Sequence, residues 1–456
     1  MEKQQLGAPK LTVVDAIAQS LAIGPVLSAG LLATLVAGAA GSAAPLAALL
    51  GAIGSVCVGF AIILFARRYT GAGAIYDYVR RAGGAMAGTF AAGVYFLGAM
   101  LLGGAGIYLA IGFFANLAGT AYLGLNLPWW AWALVAMLAV FAFNHFGVQT
   151  TTRTQLILTA VAVLPIVILA FAIIFSGGAS GNTLEVFNPG NQHAGNLFQG
   201  VLFAITLFIG FEASASLSEE TANPKRTIPV AVIGTVVIAA VFYLLVLYAS
   251  AIGFGINQVE AWVKDPSPLS TLGTKYVGGW IAPWIDLALI VDMLAVASAF
   301  TATAARGWFA LARDGLLPKP LATVSSYKTP VGGNVLVLAL AVLLTLVTVA
   351  LGSAPMDMFA ASATAGTLLI SLIYIALGLL AFRLLGSSAP AWSYVVLPIA
   401  ILTPVFAIYG SIVPFPPAGS PPAIGVWLTL AALTVALVWT LSNFARVQRL
   451  PALEDA

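Results

Sequence analysis

Charge is what this sequence has least of. Asp, Glu, Lys and Arg make up 7% of its 456 residues, against 61% hydrophobic. A soluble chain of this length carries roughly a quarter charged residues, so a water-soluble fold is excluded. Cys57 is the sole cysteine, which rules out an internal disulfide and leaves the redox compartment open. The two histidines, His145 and His193, have no carboxylate cluster around them, so a metal centre or histidine-based active site has nothing to build on. No Gly-rich phosphate loop and no GxSxG stretch occurs, which argues against ATP-driven transport and against a serine hydrolase. The chain reads as non-enzymatic, without a resident cofactor or metal.

Apolar runs are what it has instead. A bilayer-spanning helix needs about 20 apolar residues, and twelve such runs follow one another: 12–38, 45–66, 86–118, 129–147, 154–176, 196–217, 228–253, 280–311, 334–351, 358–384, 391–413 and 423–446. Each is expected to be helical, because hydrocarbon offers backbone donors and acceptors no outside partner. The reading is therefore an all-α polytopic membrane protein with no separate soluble domain. The first run is too long for a cleaved signal peptide, carries Asp15 and lacks a cleavage site.

The 18 basic residues are distributed unevenly. With the amino terminus inside, sixteen fall on inner loops and helix ends and two, Lys264 and Lys275, on the outer side. The positive-inside rule then puts both termini in the cytoplasm and supports an even number of spans. That explanation of the basic clusters leaves no case for nucleic-acid binding.

Two spans look interrupted, and they lie five spans apart. Span one carries Gly24-Pro25 and then Ser28-Ala29-Gly30; span six carries "FIGFEASAS", with Gly210 and Glu212 at its centre. Proline removes a helical hydrogen bond and glycine eases departure from helical geometry. Breaks at corresponding places in two halves point to a transporter of inverted repeats with its site near the membrane midplane. The alternative is that glycine and proline serve close helix packing. The expected layout is a tail (1–11), a first repeat of spans one to five (12–176), a second of spans six to ten (196–384), two appended spans (391–446) and a tail (447–456).

The stretch "FIGFEASASLSEETANPKRTIP" resembles span six and the following loop of the amino acid–polyamine–organocation (APC) transporter superfamily. Phe208, Gly210, Phe211, Glu212, Glu219, Glu220, Asn223, Pro224, Lys225, Arg226, Ile228 and Pro229 fall in step with that pattern. "TGAGAIYDYVRRAGG" (70–84) and "RGWFALARDGLLPKPLA" (306–322) are similar to its loops after spans two and eight. The Asp-Arg-x-Gly-Arg-Arg loop of the major facilitator type, also twelve spans, is missing around 67–85. The resemblance implies a ten-helix core with broken helices one and six, two C-terminal helices, and transport of an amino acid, polyamine or related amine by alternating access.

It also implies site residues. At the break of span one, Gly24, Ser28, Ala29 and Gly30 would present backbone N–H groups to a substrate carboxylate; Ser28 stands where the family commonly has glycine. At the break of span six, carbonyls near Ile209 and Gly210 would accept from a substrate ammonium. The usual gating aromatic is replaced by Thr206, which moves that role to Phe208 or to Phe300 of span eight, with packing as the alternative for either. Glu212 would either couple transport to a proton or brace span six against a neighbour, since a carboxylate in hydrocarbon must face the interior, be paired or carry a proton. The span-five lysine of sodium-independent members aligns with Ala162, so sodium would need oxygen ligands, for which Ser298, Thr301 and Thr303 are candidates alongside a packing role. Asp292 is a second embedded acid and Asp286 lies nearer the outer end.

The sequence thus supports a secondary transporter of an amino acid or related amine, coupled to protons or sodium or working by exchange, in a bacterial inner membrane. A carrier of a polyamine or non-amine metabolite, or a sensor or channel with a transporter-like body, are the competing readings. Nothing in the sequence speaks to oligomeric state.

Overall fold

The computed structural model describes residues 11–21, 27–69, 73–146, 148–191, 194–385 and 391–450. All twelve expected spans are present among them as helices. Span one is in two pieces: Val13–Ser20, then a wide π-helical turn, Ser28–Leu32, running on into Ala33–Ala40. The intervening residues, with Gly24 and Pro25, lie outside the described ones. Span two is Ala44–Ala66, and span three is Ala85–Ala99 and Ile107–Leu123 joined by a second π-helical stretch, Met100–Ala105. Spans four and five are Trp129–His145 and Val148–Ser176.

Span six is divided. Its first half, Ala194–Thr206, gives way to turns, and a tight 3-10 helix, Ala213–Glu220, completes the crossing. Gly210 in the gap has φ +116°, a conformation that a residue with a Cβ rarely adopts. The remaining spans are Pro224–Phe254, Ile281–Arg313, Val331–Ala350, Pro355–Leu384, Ser393–Ile412 and Pro421–Ser442. The start of span one and the end of span twelve therefore lie on one face, the terminal face. Spans three and eight exceed the length a perpendicular helix needs, as tilted or protruding helices do.

The second half of span one and span two pack on the first half of span six. That contact is close because of glycine. A Cβ at Gly51 of span two would sit 2.7 Å from the Ala204 Cβ of span six, so only a bare backbone fits there. Spans eleven and twelve lie against span ten, outside the interior formed by one, three, six, eight and ten.

The terminal face is tied shut by charge. The helix Ile75–Gly83 lies between spans two and three, with Arg80 2.7 Å from Asp314, which also accepts from the Tyr76 hydroxyl at 2.7 Å. Arg306 of span eight pairs with Glu220 at 2.8 Å and Arg313 with Glu219 at 3.1 Å. Leu11, ahead of span one, donates its N–H to the Glu220 carbonyl at 3.0 Å. Acidic and basic residues of the stretches after spans two, six and eight thus meet one another.

Asp77 within this cluster makes a pH prediction. Its carboxyl is pushed up to about 7, first by burial and then by the Asp314 and Glu219 carboxylates, against lowering by Arg313 and Arg81. The folded protein then holds a proton that an unfolded chain, with an ordinary carboxyl near about 4, has released. The Asp77 contribution to stability is therefore present below about pH 4 and is lost as pH rises through about 7. Asp77→Asn should flatten that fall, measured as the midpoint of thermal unfolding in detergent between about pH 5 and pH 8.

Candidate functional site

The two breaks face each other. The Ser28 hydroxyl, at the start of the second half of span one, donates to the Leu207 carbonyl, where the first half of span six ends, at 3.4 Å. At a broken helix the first N–H groups and last carbonyls have no partner within the helix. The contact therefore joins the positive end of one half-helix to the negative end of the other.

The Leu27 N–H, at the start of the second half of span one, is itself engaged. Asp292 of span eight, almost wholly buried, accepts the Leu27 N–H with its Oδ2 at 2.8 Å. The acid that the sequence marked only as embedded in span eight thus caps the second half of span one from 265 residues away in the chain. Ser28, Ala29 and Gly30 are all buried there.

Span six is held by two neighbouring spans and by a bond within itself. Glu212 accepts the Tyr95 hydroxyl of span three at 3.0 Å with Oε1, and with Oε2 the Tyr374 hydroxyl of span ten at 3.0 Å and the Gly210 N–H at 3.1 Å. Those donors are what an interior carboxylate needs, and the last of them holds the turn that Gly210 makes.

A cavity of about 390 Å³ lies beside the loop after span seven and the start of span ten. Gly30, Leu31, Phe113, Phe114 and Phe203 form much of its apolar wall, with Thr34 and Thr364 as hydroxyl-bearing neighbours. Lys264, Asp265 and Asp357 belong to the same lining, contributed by the outer loop after span seven and the start of span ten. Volume and lining are those of a small-molecule site.

The expected site residues divide accordingly. Gly30 lines the cavity. Ser28, Ile209 and Gly210 lie at the facing breaks, Ile209 with 2% exposure. Phe208 packs edge-on against Tyr243 of span seven, ring centroids 5.1 Å apart. Phe300 lies against span three, filling the place a Cβ on Gly103 would need. The aromatic of span six that borders the cavity is Phe203, three residues ahead of Thr206. Thr206 itself meets the Thr367 hydroxyl of span ten at 3.0 Å. Ser298 exchanges hydrogen bonds with Asn144 of span four: its hydroxyl donates to Oδ1 at 3.3 Å and its carbonyl accepts from Nδ2 at 3.1 Å. Thr301 and Thr303 are buried in the same span. Asp286 accepts from Tyr122 and Ser270 near the far face.

Sequence reasoning did not find Tyr95, Tyr374, Phe113, Phe114 or Asn144. An aromatic or amide in an apolar run carries no sign of the direction it faces.

Comparison with known proteins agrees with this geometry. The fold is similar to a manganese transporter of Eremococcus coleocola, with a TM-score of 0.58 over 98% of this chain and 99% of that one at 12% identity. A branched-chain amino acid permease of Bacillus subtilis is 28% identical over 233 residues, 50% of this chain and 48% of the permease. The chain thus spans about half the length of that relative. An uncharacterized transporter of Mycobacterium bovis is 27% identical over 70% of each chain, and a methylthioribose transporter of Bacillus subtilis 29% identical over 47% of this chain and 44% of its own. The family model described as amino acid permease matches residues 15–440. With twelve helical spans, a divided span six and a match along nearly its whole length, the chain is a multi-pass membrane protein that belongs to the amino acid permease family.

Proposed function

We propose that this protein is a secondary transporter that carries an amino acid or related amine bearing an apolar side chain across the bacterial inner membrane by alternating access. The observation that carries the reading is the cavity walled by Gly30, in the π-helical turn of span one, and Phe203 of the divided span six. Its apolar wall of Leu31, Phe113, Phe114 and Phe203 suits an aliphatic or aromatic side chain, in keeping with a branched-chain amino acid permease among the relatives. Carbonyls at the end of a half-helix accept from an ammonium, and the negative end of its dipole favours that cation.

The sealed terminal face and the cavity on the opposite side support an outward-facing arrangement. The excess of basic residues on the terminal face supports its being cytoplasmic. Inward opening would then require the Arg80–Asp314, Arg306–Glu220 and Arg313–Glu219 pairs to part. Transport coupled to protons or sodium, or obligatory exchange, would bias that step.

Gly30→Val tests the reading. A Cβ at Gly30 would meet its nearest neighbours, the Leu269 and Leu289 side chains, at 3.4 and 3.5 Å, which is ordinary contact. The variant should therefore fold and insert, while its branched side chain fills the space between span one, Leu269 and Leu289 at the edge of the cavity. Uptake of radiolabelled amino acids and amines into liposomes is expected to fall about tenfold or more, equivalent to roughly 1.4 kcal/mol. Unchanged uptake would remove span one from the substrate path.

A further inference from the structure

A second hollow, of about 510 Å³, lies on the outside of the helix bundle between spans three, four and eight. Much of its lining is small: Ala115 and Ala118 of span three, Ala136 and Ala139 of span four. Leu123, Val135 and Leu287 belong to the same lining and are exposed, so this groove opens to the bilayer. Among its described lining only Tyr122 and Trp132 have a polar side-chain atom. Hydrocarbon holds no water to fill such a groove, and an acyl chain is what it meets there.

The groove is one leaflet long. From Pro283 to Leu294, both in its lining, span eight rises about 16 Å, and half of a hydrocarbon core is about 15 Å. It reaches the end of span three at Leu123 and the first turn of span four at Trp132, so it occupies the half of the bilayer away from the terminal face. Trp130 and Trp280 stand exposed at that end, at the depth where indole rings meet the headgroups.

A carboxyl group sits at the same end. Tyr122, in the groove lining, donates its hydroxyl to Asp286 Oδ2 at 2.6 Å, and Ser270 donates to Oδ1. Asp286 lies one turn after Pro283 and next to Leu287. It is half-buried, both of these partners are neutral, and among the described residues no basic side chain pairs with it. Two hydroxyl donors, one on each oxygen, suit an ionised carboxylate. A carboxylate at headgroup depth, above an apolar groove, is complementary to a lipid whose headgroup carries a cation.

We propose that the groove between spans three, four and eight is a phospholipid site, in which one acyl chain fills the groove and Asp286 receives the ammonium of an ethanolamine headgroup. The lipid comes from the leaflet away from the terminal face. It is held whatever substrate the cavity carries.

Two lipids of identical acyl chains decide it: phosphatidylethanolamine, which has the ammonium, and phosphatidylglycerol, which has none. Delipidated full-length protein in detergent is titrated with each near neutral pH, and the tightest-bound lipid is followed by native mass spectrometry. The wild type is expected to hold the ethanolamine lipid about tenfold tighter than the glycerol lipid. Asp286→Asn keeps an acceptor oxygen and loses the charge, and should bring that ratio to about one. Tyr122→Phe removes one hydrogen bond and leaves the carboxylate, and should keep the preference. Ala139→Trp fills the groove and should weaken both lipids about tenfold or more.

Equal binding of the two lipids by the wild type, or an unchanged ratio in Asp286→Asn, would overturn the proposal. So would a loss of preference in Tyr122→Phe as complete as in Asp286→Asn, because local structure rather than charge would then set it. A dimer that forms without lipid and comes apart in Ala139→Trp would also overturn it, since a second copy of the chain would be the occupant.

Discussion

Glu212→Ala is expected to unfold span six and abolish uptake. Three donors converge on this carboxylate: the Tyr95 and Tyr374 hydroxyls at 3.0 Å each and the Gly210 N–H at 3.1 Å. All belong to residues in the buried interior, where no water takes over a lost bond. Each donor left without an acceptor costs roughly 1–3 kcal/mol, and three together are a large part of the roughly 5–15 kcal/mol that keeps an ordinary domain folded. The expected result is a much lower melting temperature in detergent together with loss of transport. Glu212→Gln keeps one acceptor oxygen and should fall in between. If Glu212→Ala instead melts with the parent protein and loses only the pH dependence of uptake, the carboxylate serves proton coupling and its three hydrogen bonds are incidental.

The second large effect is expected at the terminal face. Arg306 and Glu220 form an ion pair at 2.8 Å, with side chains only 2% and 6% exposed. Removing one member of a buried pair strands the other charge, at a cost of roughly 3–5 kcal/mol. Arg306→Ala leaves Glu220 in that position and also removes the Arg306 donor that reaches the Ala302 carbonyl at 3.1 Å. The variant should be strongly destabilised. Replacing both, as Arg306→Met with Glu220→Leu, should recover much of the loss, because an apolar pair of similar volume avoids the desolvation cost altogether. The double-mutant cycle then separates stability from function. The apolar double variant should fold yet differ from the parent in the balance of outward and inward states, read as altered access of a thiol reagent to a cysteine introduced at the terminal face, in a background with Cys57 replaced. A double variant as unstable as Arg306→Ala would mean that the arginine acts by packing.

How far the sequence reached differs between the two breaks. In span one, Gly24-Pro25 lies outside the described residues, whereas Ser28-Ala29-Gly30 falls in a wide π-helical turn. In span six, Gly210 and the polar residues after it predicted a break but not the 3-10 form of the second half, Ala213–Glu220. A tight helix there brings Glu219 and Glu220 to Arg313 and Arg306, a tertiary contact across 94 and 86 residues of sequence.

Span count, helix type and the places where helices break came from the sequence alone, because each depends on residues next to one another in the chain: the length of an apolar run, a proline, a glycine. Which side chains face the interior was decided only by the tertiary structure. In water a helix shows its buried face by the spacing of apolar residues; in a bilayer both the interior and the lipid are apolar, so that spacing is mute. Phe203 and Phe208 read alike in sequence, yet one borders the cavity and the other packs against Tyr243. Glu212 and Asp292 were visible as charges out of place. That one meets two tyrosines and the other caps span one follows from helices brought together from distant parts of the chain.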